Sequence, residues 1–95
     1  MGALRRLVLD TLKPYEPSIV ELAQQIAELP GIDSVNISIY EIDRKVENAK
    51  ITVEGPDIQY DALESMIRDL GGSIHSIDEA VAGKTIIDDA STLQD

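Results

Sequence analysis

The sequence contains no cysteine, no tryptophan and no phenylalanine, and its three aromatic residues are all tyrosines. Without cysteine there are no disulfide bonds, no thiolate sites for zinc or iron–sulfur clusters and no thiol nucleophile, and a cytoplasmic location is expected. No apolar run approaches the roughly 20 residues that a membrane-spanning helix needs. Because hydrophobic residues make up 43% of the chain, it should fold around an aliphatic core.

Basic residues are also scarce: eight Lys and Arg stand against 18 Asp and Glu, which gives a formal net charge of −10. Such a surface repels the phosphates of nucleic acids and the headgroups of anionic lipids, so neither nucleic acid nor membrane is an expected partner. Cations and basic ligands are favoured instead. The 95 residues are enough for one small domain and leave no room for a second independent core.

The first half of the chain predicts a strand, a helix and a second strand. Residues 4–12, LRRLVLDTL, place apolar side chains on both faces, as in a central strand. Ser18 and Glu21 form an S-x-x-E capping box at the start of an amphipathic helix that should end at Pro30. Apolar and polar residues alternate over residues 35–40, which predicts a strand with one buried face.

The second half of the chain predicts two further strands and a second helix. A polar turn at residues 43–48 separates the second strand from a third, with which it should form a hairpin. Asp57 is the expected N-cap of the second amphipathic helix, and Gly71 with Gly72 supplies its left-handed end. A fourth strand is predicted over residues 73–81.

This order of elements, β-α-β-β-α-β, is typical of the ferredoxin-like α+β fold, a four-stranded antiparallel sheet with two helices on one face. Right-handed crossovers place the first and third strands in the centre and the second and fourth at the edges. We therefore predict a single ferredoxin-like domain over residues 1–86 and an extended or disordered acidic tail over residues 87–95.

Antiparallel pairing should bring opposite charges together on the sheet face that points away from the helices. The start of the first strand meets the ends of the third and fourth strands in this topology. Arg6 is therefore expected to lie beside Glu54 and Glu79, as cross-strand pairing favours.

His75, the only histidine, is predicted to pair with Asp10 across the first and fourth strands, with Lys50 on the other side of Asp10. A serine-histidine-aspartate triad would have to use the same two residues, with Ser73 or Ser76 as the nucleophile. Same-face neighbours on a strand lie about 7 Å apart, so neither hydroxyl is clearly activated. The structural pair is the preferred interpretation, and no catalytic residue is assigned.

The surplus of carboxylates suggests a divalent cation site. Glu54, Asp57, Asp78 and Glu79 should gather at one end of the sheet, and calcium and magnesium prefer carboxylate and carbonyl oxygens. Arg6 enters the same region and neutralises part of the charge, so a site shared between subunits is favoured over one within a single chain. The pattern establishes no other cofactor.

Five apolar residues have the parity that points away from the helices. A large uncovered apolar patch on a protein surface marks an interaction site, and two edge strands are also left open. The expected partner is another copy of the chain, in a homo-oligomer that can close into a ring, with a divalent cation or small ligand at the subunit interfaces. The residues of this patch are Val8, Leu12, Tyr40, Ile42 and Ile77.

Three stretches, RRLVLDTLKPYEPSIVELA, NISIYEIDRKVENAKITVEG and GGSIHSIDEAVAG, resemble a family of small archaeal proteins that is known only as a domain of unknown function. The resemblance covers nearly the whole chain and implies a ferredoxin-like, self-associating, cytoplasmic protein, with no activity to carry over. LPGIDSVNISI is more distantly similar to ACT and heavy-metal-associated domains. The loop KPYEPS stands where the latter have metal-binding cysteines, so copper transport is not implied.

Three functional hypotheses follow from these patterns. The favoured one is a non-enzymatic, homo-oligomeric binding or regulatory module. The first alternative is a structural assembly that binds calcium or magnesium, and the second is a hydrolase or lyase that uses Asp10 and His75. A pocket lined by both of these residues would favour the enzyme, whereas an ion among several carboxylates would favour the cation-binding assembly.

Overall fold

Six elements are present in the computed structural model, which describes residues 1–88: β1 (Leu4–Pro14), α1 (Ile19–Ala27), β2 (Ser34–Ile42), β3 (Val46–Glu54), α2 (Tyr60–Asp69) and β4 (Ser73–Ala82). The sheet order is β2-β3-β1-β4, and every neighbouring pair is antiparallel. The predicted ferredoxin-like α+β fold, with β1 and β3 in the centre, is confirmed. Within the described residues, neither helix is long and apolar enough to cross a membrane.

One aliphatic core lies between the sheet and the two helices. Its members come from alternate positions of the two central strands, from the buried stripes of both helices and from the loops that precede β2 and α2. Because residues of α1 and α2 join the same strand residues in this cluster, both helices lie on one face of the sheet. The buried members are Leu7, Leu9, Leu22, Ile26, Ile32, Ile51, Val53, Ile58, Leu63 and Ile67.

The first helix begins where the capping box predicts. The Ser18 hydroxyl accepts a hydrogen bond from the Glu21 backbone N–H at 3.2 Å, and the Glu21 carboxylate accepts one from the Ser18 N–H at 3.2 Å. Each side chain thus satisfies an N–H group that has no partner inside the helix. α1 ends at Ala27, and Gly31 then turns the chain with a φ of 85°.

The loops that enter β2 and α2 pack backbone against backbone. A Cβ atom on Gly55 would clash with the Gly31 carbonyl oxygen, and one on Gly31 would clash with the Asp57 carbonyl oxygen, so both positions require glycine. Asp57 belongs to this contact, and the prediction that it caps α2 is wrong. Ile58 enters the core after it, and the N-cap of α2 is Gln59, whose side chain makes no capping hydrogen bond.

The outer face of the sheet, opposite the helices, carries Arg6, Val8, Asp10 and Leu12 of β1, which alternate with the core residues of that strand. The β1–β3 pairing shows no register shift, and Arg6 stands opposite Glu54. This regular pairing fixes which residues of β3 share the outer face, because directly paired residues point to the same side.

A β-bulge reverses the alternation near the end of β2. The pairing with β3 is regular as far as Ile39, and the next paired residue is Glu41, so Tyr40 is the extra residue. Ile42 then pairs with Glu47, which lies on the same side of β3 as the core residues Ile51 and Val53. Ile42 therefore points to the helix side and not, as predicted, to the outer face.

Two further bulges lie in the edge strand β4. The register against β1 shifts at His75 and again at Asp78, each of which is an extra residue. Ile77 is paired with Leu9, which belongs to the core. Ile77 therefore points to the helix side, where 50% of it remains exposed.

The apolar patch predicted on the outer face does not form as expected. Ile42 and Ile77 point to the other side because of the bulges, and Val8 is only 9% exposed. Leu12 is partly buried, and Tyr40 is the one well-exposed member that stays on the outer face. A large apolar patch on this face therefore gives no reason for self-association.

The chain that follows β4 returns to the start of β1. The Arg5 guanidinium donates to the Lys84 carbonyl oxygen at 2.5 Å, and an Asp88 carboxylate oxygen lies 2.9 Å from Nη1 of Arg6. The described chain after β4 is thus tied to β1 by two neighbouring arginines. Of the acidic tail predicted over residues 87–95, residues 89–95 lie outside the described part.

Arg6 joins the two strands on either side of β1, as predicted. Its Nε donates to the Glu54 carboxylate at 2.7 Å, its Nη1 lies 3.8 Å from a Glu79 oxygen, and its side chain is only 17% exposed. The hydrogen bonds to Glu54 and to Asp88 raise the pKa of Arg6 above its ordinary value. The guanidinium therefore holds three carboxylates that would otherwise repel one another.

Replacing Arg6 by alanine should lower the melting temperature, because three neighbouring carboxylates lose the positive charge between them. Arg68→Ala is the matched control, since among residues 1–88 its one ion pair is with Glu64 of the same helix and its side chain is 62% exposed. Thermal unfolding followed by circular dichroism at low and high salt measures both variants. If Arg6→Ala and Arg68→Ala had the same melting temperature at low salt, the proposed stabilising role of Arg6 would be contradicted.

Candidate functional site

A cavity of about 230 Å³ lies on the outer face, at the end of the sheet near the β2–β3 turn. β1 supplies two of its residues, β3 supplies one, and the bulged regions of β2 and β4 supply the others. The cavity therefore draws on all four strands. The lining residues are Asp10, Leu12, Tyr40, Glu41, Asn48 and His75.

Tyr40 crosses the neighbouring strand to reach β1. Its hydroxyl donates a hydrogen bond to the Asp10 carboxylate, although β3 lies between their two strands. This hydrogen bond is the main reason that the pKa of Tyr40 rises from 10.0 to about 12, and burial and the negative charges of Asp10, Glu41 and Asp78 act in the same direction. At neutral pH the Tyr40 hydroxyl therefore stays protonated and donates its hydrogen bond to Asp10.

Asn48 lies between the carboxylates of the cavity. Its Nδ2 donates to the Glu41 carboxylate at 3.0 Å, while its Oδ1 is buried and has no hydrogen-bond partner among residues 1–88. Exchanging the two ends of the amide would place Oδ1 against Glu41, so this orientation is the favourable one. The acceptors that the cavity presents are therefore the carboxylates of Asp10 and Glu41.

His75 lines the cavity without pairing with Asp10. Lys50 stands opposite Asp10 as predicted, but Ser76 occupies the position expected for His75, because the bulge at His75 shifts the register. Among residues 1–88, no ion pair joins Asp10 with His75 or Lys50. The hydroxyl of Ser76 donates to Asp78 at 2.8 Å, so it is not directed at the imidazole.

The four carboxylates predicted to bind a cation occupy three separate places. Glu54 and Glu79 both contact Arg6. Asp57 lies in the loop before α2, and Asp78 is the bulged residue of β4. Within the described chain, no three acidic or histidine side chains converge in a way that could hold a metal ion. A calcium or magnesium site that is completed by a second chain stays a prediction.

The structure also contains a buried ion pair on the helix side of the sheet that was not predicted from the sequence. The Lys13 side chain is 3% exposed, and its Nζ donates to Glu47 at 2.6 Å and to the Pro14 carbonyl oxygen at 2.7 Å. The alternation of β1 could have predicted this pair, because Lys13 lies an even number of residues from Leu7 and Leu9 and so faces the same side of the sheet. Thr11 shares this side, and its buried hydroxyl has no hydrogen-bond partner in the described part of the chain.

The Asp10→Asn variant should lower the pKa of Tyr40 toward 10, because the acceptor would no longer be charged. Folding raises this pKa, so the Tyr40–Asp10 hydrogen bond contributes fully to the free energy of unfolding below pH 10. This contribution is lost as the pH rises through about 12. Tyrosinate absorbance measures the titration, Tyr40→Phe identifies the step, and Asp33→Asn is the control for net charge. An unchanged titration in Asp10→Asn would contradict the hydrogen bond.

Comparison with known proteins agrees with the resemblance in the sequence. The chain is 52% identical over 95 residues to uncharacterized protein MJ0319 of Methanocaldococcus jannaschii, covering 100% of this chain and 98% of that protein. The model of the DUF211 family, described as uncharacterized ArCR, matches residues 5–95. With a family model that spans nearly the whole chain and a relative aligned from end to end, the protein belongs to the DUF211 family.

Proposed function

We propose that the protein is a non-enzymatic, self-associating binding module of the cytoplasm. The observation that supports self-association is the β2 edge, residues 34–39, which is an open strand edge without a single charged side chain. The lack of cysteine in the sequence is the reason for proposing the cytoplasm.

The β2 edge has the features of a strand that can pair again. Within residues 1–88 it bonds to β3 on one side only, and its pairing is free of bulges before Tyr40. Ser34, Asn36 and Ser38 are exposed on the outer face, while the three β-branched residues between them are partly exposed beside α1. Unpaired backbone groups along such an uncharged edge are a template for another strand.

The opposite edge is less suited to pairing with another copy of itself. β4 contains the bulges at His75 and Asp78 and carries the carboxylate of Glu79, and bulges and charges are devices that discourage edge pairing. With a net charge of −10, two copies meet with least repulsion through their uncharged β2 edges. Head-to-tail pairing of β2 with β4 is the arrangement that would instead close a ring.

A hydrolase or lyase is the second candidate, because one cavity is lined by both Asp10 and His75. Its weakness is that Asp10 accepts a hydrogen bond from Tyr40 and is therefore not positioned to orient the imidazole. A hydrolytic activity that both Asp10→Asn and His75→Ala abolish would favour the enzyme over the binding module.

Light scattering at micromolar concentration should give a mass larger than that of one chain. The double variant Asn36→Glu with Ser38→Glu should dissociate the assembly, because edge pairing would bring like charges together. Gln24→Glu with Gln25→Glu, on the exposed part of α1, adds the same charge away from the edge and should leave the mass unchanged. A monomeric wild-type protein, or equal dissociation of both double variants, would contradict the proposal.

A further inference from the structure

We propose that the cavity on the outer face binds the primary ammonium group of an aliphatic amine, an inference that rests on the proposed function as a binding module. Its recognition elements are the carboxylates of Asp10 and Glu41 and the aromatic side chain of Tyr40, all of which line the cavity. Each of these groups interacts favourably with a positively charged N–H donor.

The two carboxylates of the cavity suit an ammonium group. A primary ammonium has three N–H donors and no acceptor. Asp10 and Glu41 each offer a carboxylate whose present donors are neutral groups, the Tyr40 hydroxyl and the Asn48 amide. A charged donor makes a stronger hydrogen bond to a carboxylate than a neutral one does.

The apolar part of the cavity matches an alkyl chain. Leu12, which is partly buried, and Tyr40, which is 57% exposed as a residue, both line it. Alkyl carbons gain from contact with both, and an ammonium near the face of an aromatic ring is attracted by its quadrupole. The volume of about 230 Å³ is below the range of roughly 300–1,000 Å³ for drug-sized ligands, so a small amine is the appropriate size.

The chemistry of the cavity favours an organic cation over a metal ion. Calcium takes six to eight oxygen ligands, commonly with several carboxylates among them, whereas the cavity has two carboxylates, and within residues 1–88 no metal-binding group of acidic or histidine side chains forms. The net charge of −10 raises the local concentration of any cation. The specific part of the recognition is therefore the combination of acceptors with an apolar wall.

Calorimetric titration of the full chain with putrescine tests this site, with butanediol as the uncharged ligand of the same length. We expect saturable binding of putrescine and none of butanediol. Asp10→Asn and Glu41→Gln should each weaken it about tenfold, the loss expected for one hydrogen bond between charged groups. Tyr40→Phe, which keeps the ring, should retain binding.

Glu28→Gln, at an exposed position of the helix side, is the matched control because it changes the net charge by the same amount as Glu41→Gln. If it weakens binding as much as the cavity variants do, or if the wild type gives no saturable heat, the site is refuted. Nα-acetyllysine methylamide provides a second arm. Tighter binding of putrescine identifies a free amine as the ligand, and tighter binding of the lysine derivative identifies a protein side chain.

Light scattering on the same samples separates this inference from the proposed assembly. An oligomer that binds neither amine refutes the site and leaves self-association intact. A monomer that binds putrescine through Asp10 and Glu41 refutes self-association and retains the site. Circular dichroism of each variant shows whether a loss of binding reflects a loss of fold.

Discussion

The alternation of β1 is the constraint on which the rest of the structure depends. Leu7 and Leu9 face the helices, and Arg6 and Asp10 face the opposite side. Because side chains alternate with a period of two, a slip of one residue would expose the apolar pair and bury both charges. The register of this one strand therefore sets the core, the ion pairs with the neighbouring strands and the base of the outer cavity together.

The fold was predictable where one local signal matched the global arrangement. The capping box at Ser18 indicated the start of α1, and the alternation of hydrophobic residues indicated which segments are strands. The right-handed crossover rule then predicted the order of these strands in the sheet. The β-bulges left no such signal, because the residue that a strand loops out depends on its partner strand. The predicted directions of Ile42 and Ile77 were consequently wrong. The contact of Arg6 with Glu54 was right because β1 and β3 are regularly paired, and the contact with Glu79 was also right although β4 carries bulges.

The candidate site was only partly visible in the sequence for the same reason. Asp10 and His75 were expected to be neighbours, and they do share a cavity. The partner of Asp10 is nevertheless Tyr40, from a strand that is not adjacent to β1, and no local pattern predicts a contact across an intervening strand. The chain has only eight basic residues, and three of them, Arg5, Arg6 and Lys13, contact groups within the chain.

The bulged residues Tyr40 and His75 contribute to the cavity but not to the regular backbone pairing of the sheet. Tyr40 and His75 are extra residues for which the neighbouring strand has no counterpart, and both line the same cavity. Removing either would leave a more regular ladder of hydrogen bonds, so backbone pairing alone gives no reason to keep them. Length variation at these two positions would then be a change in binding surface rather than in architecture, and the cavity could be lost or reshaped by a single codon while the ferredoxin-like sheet persisted.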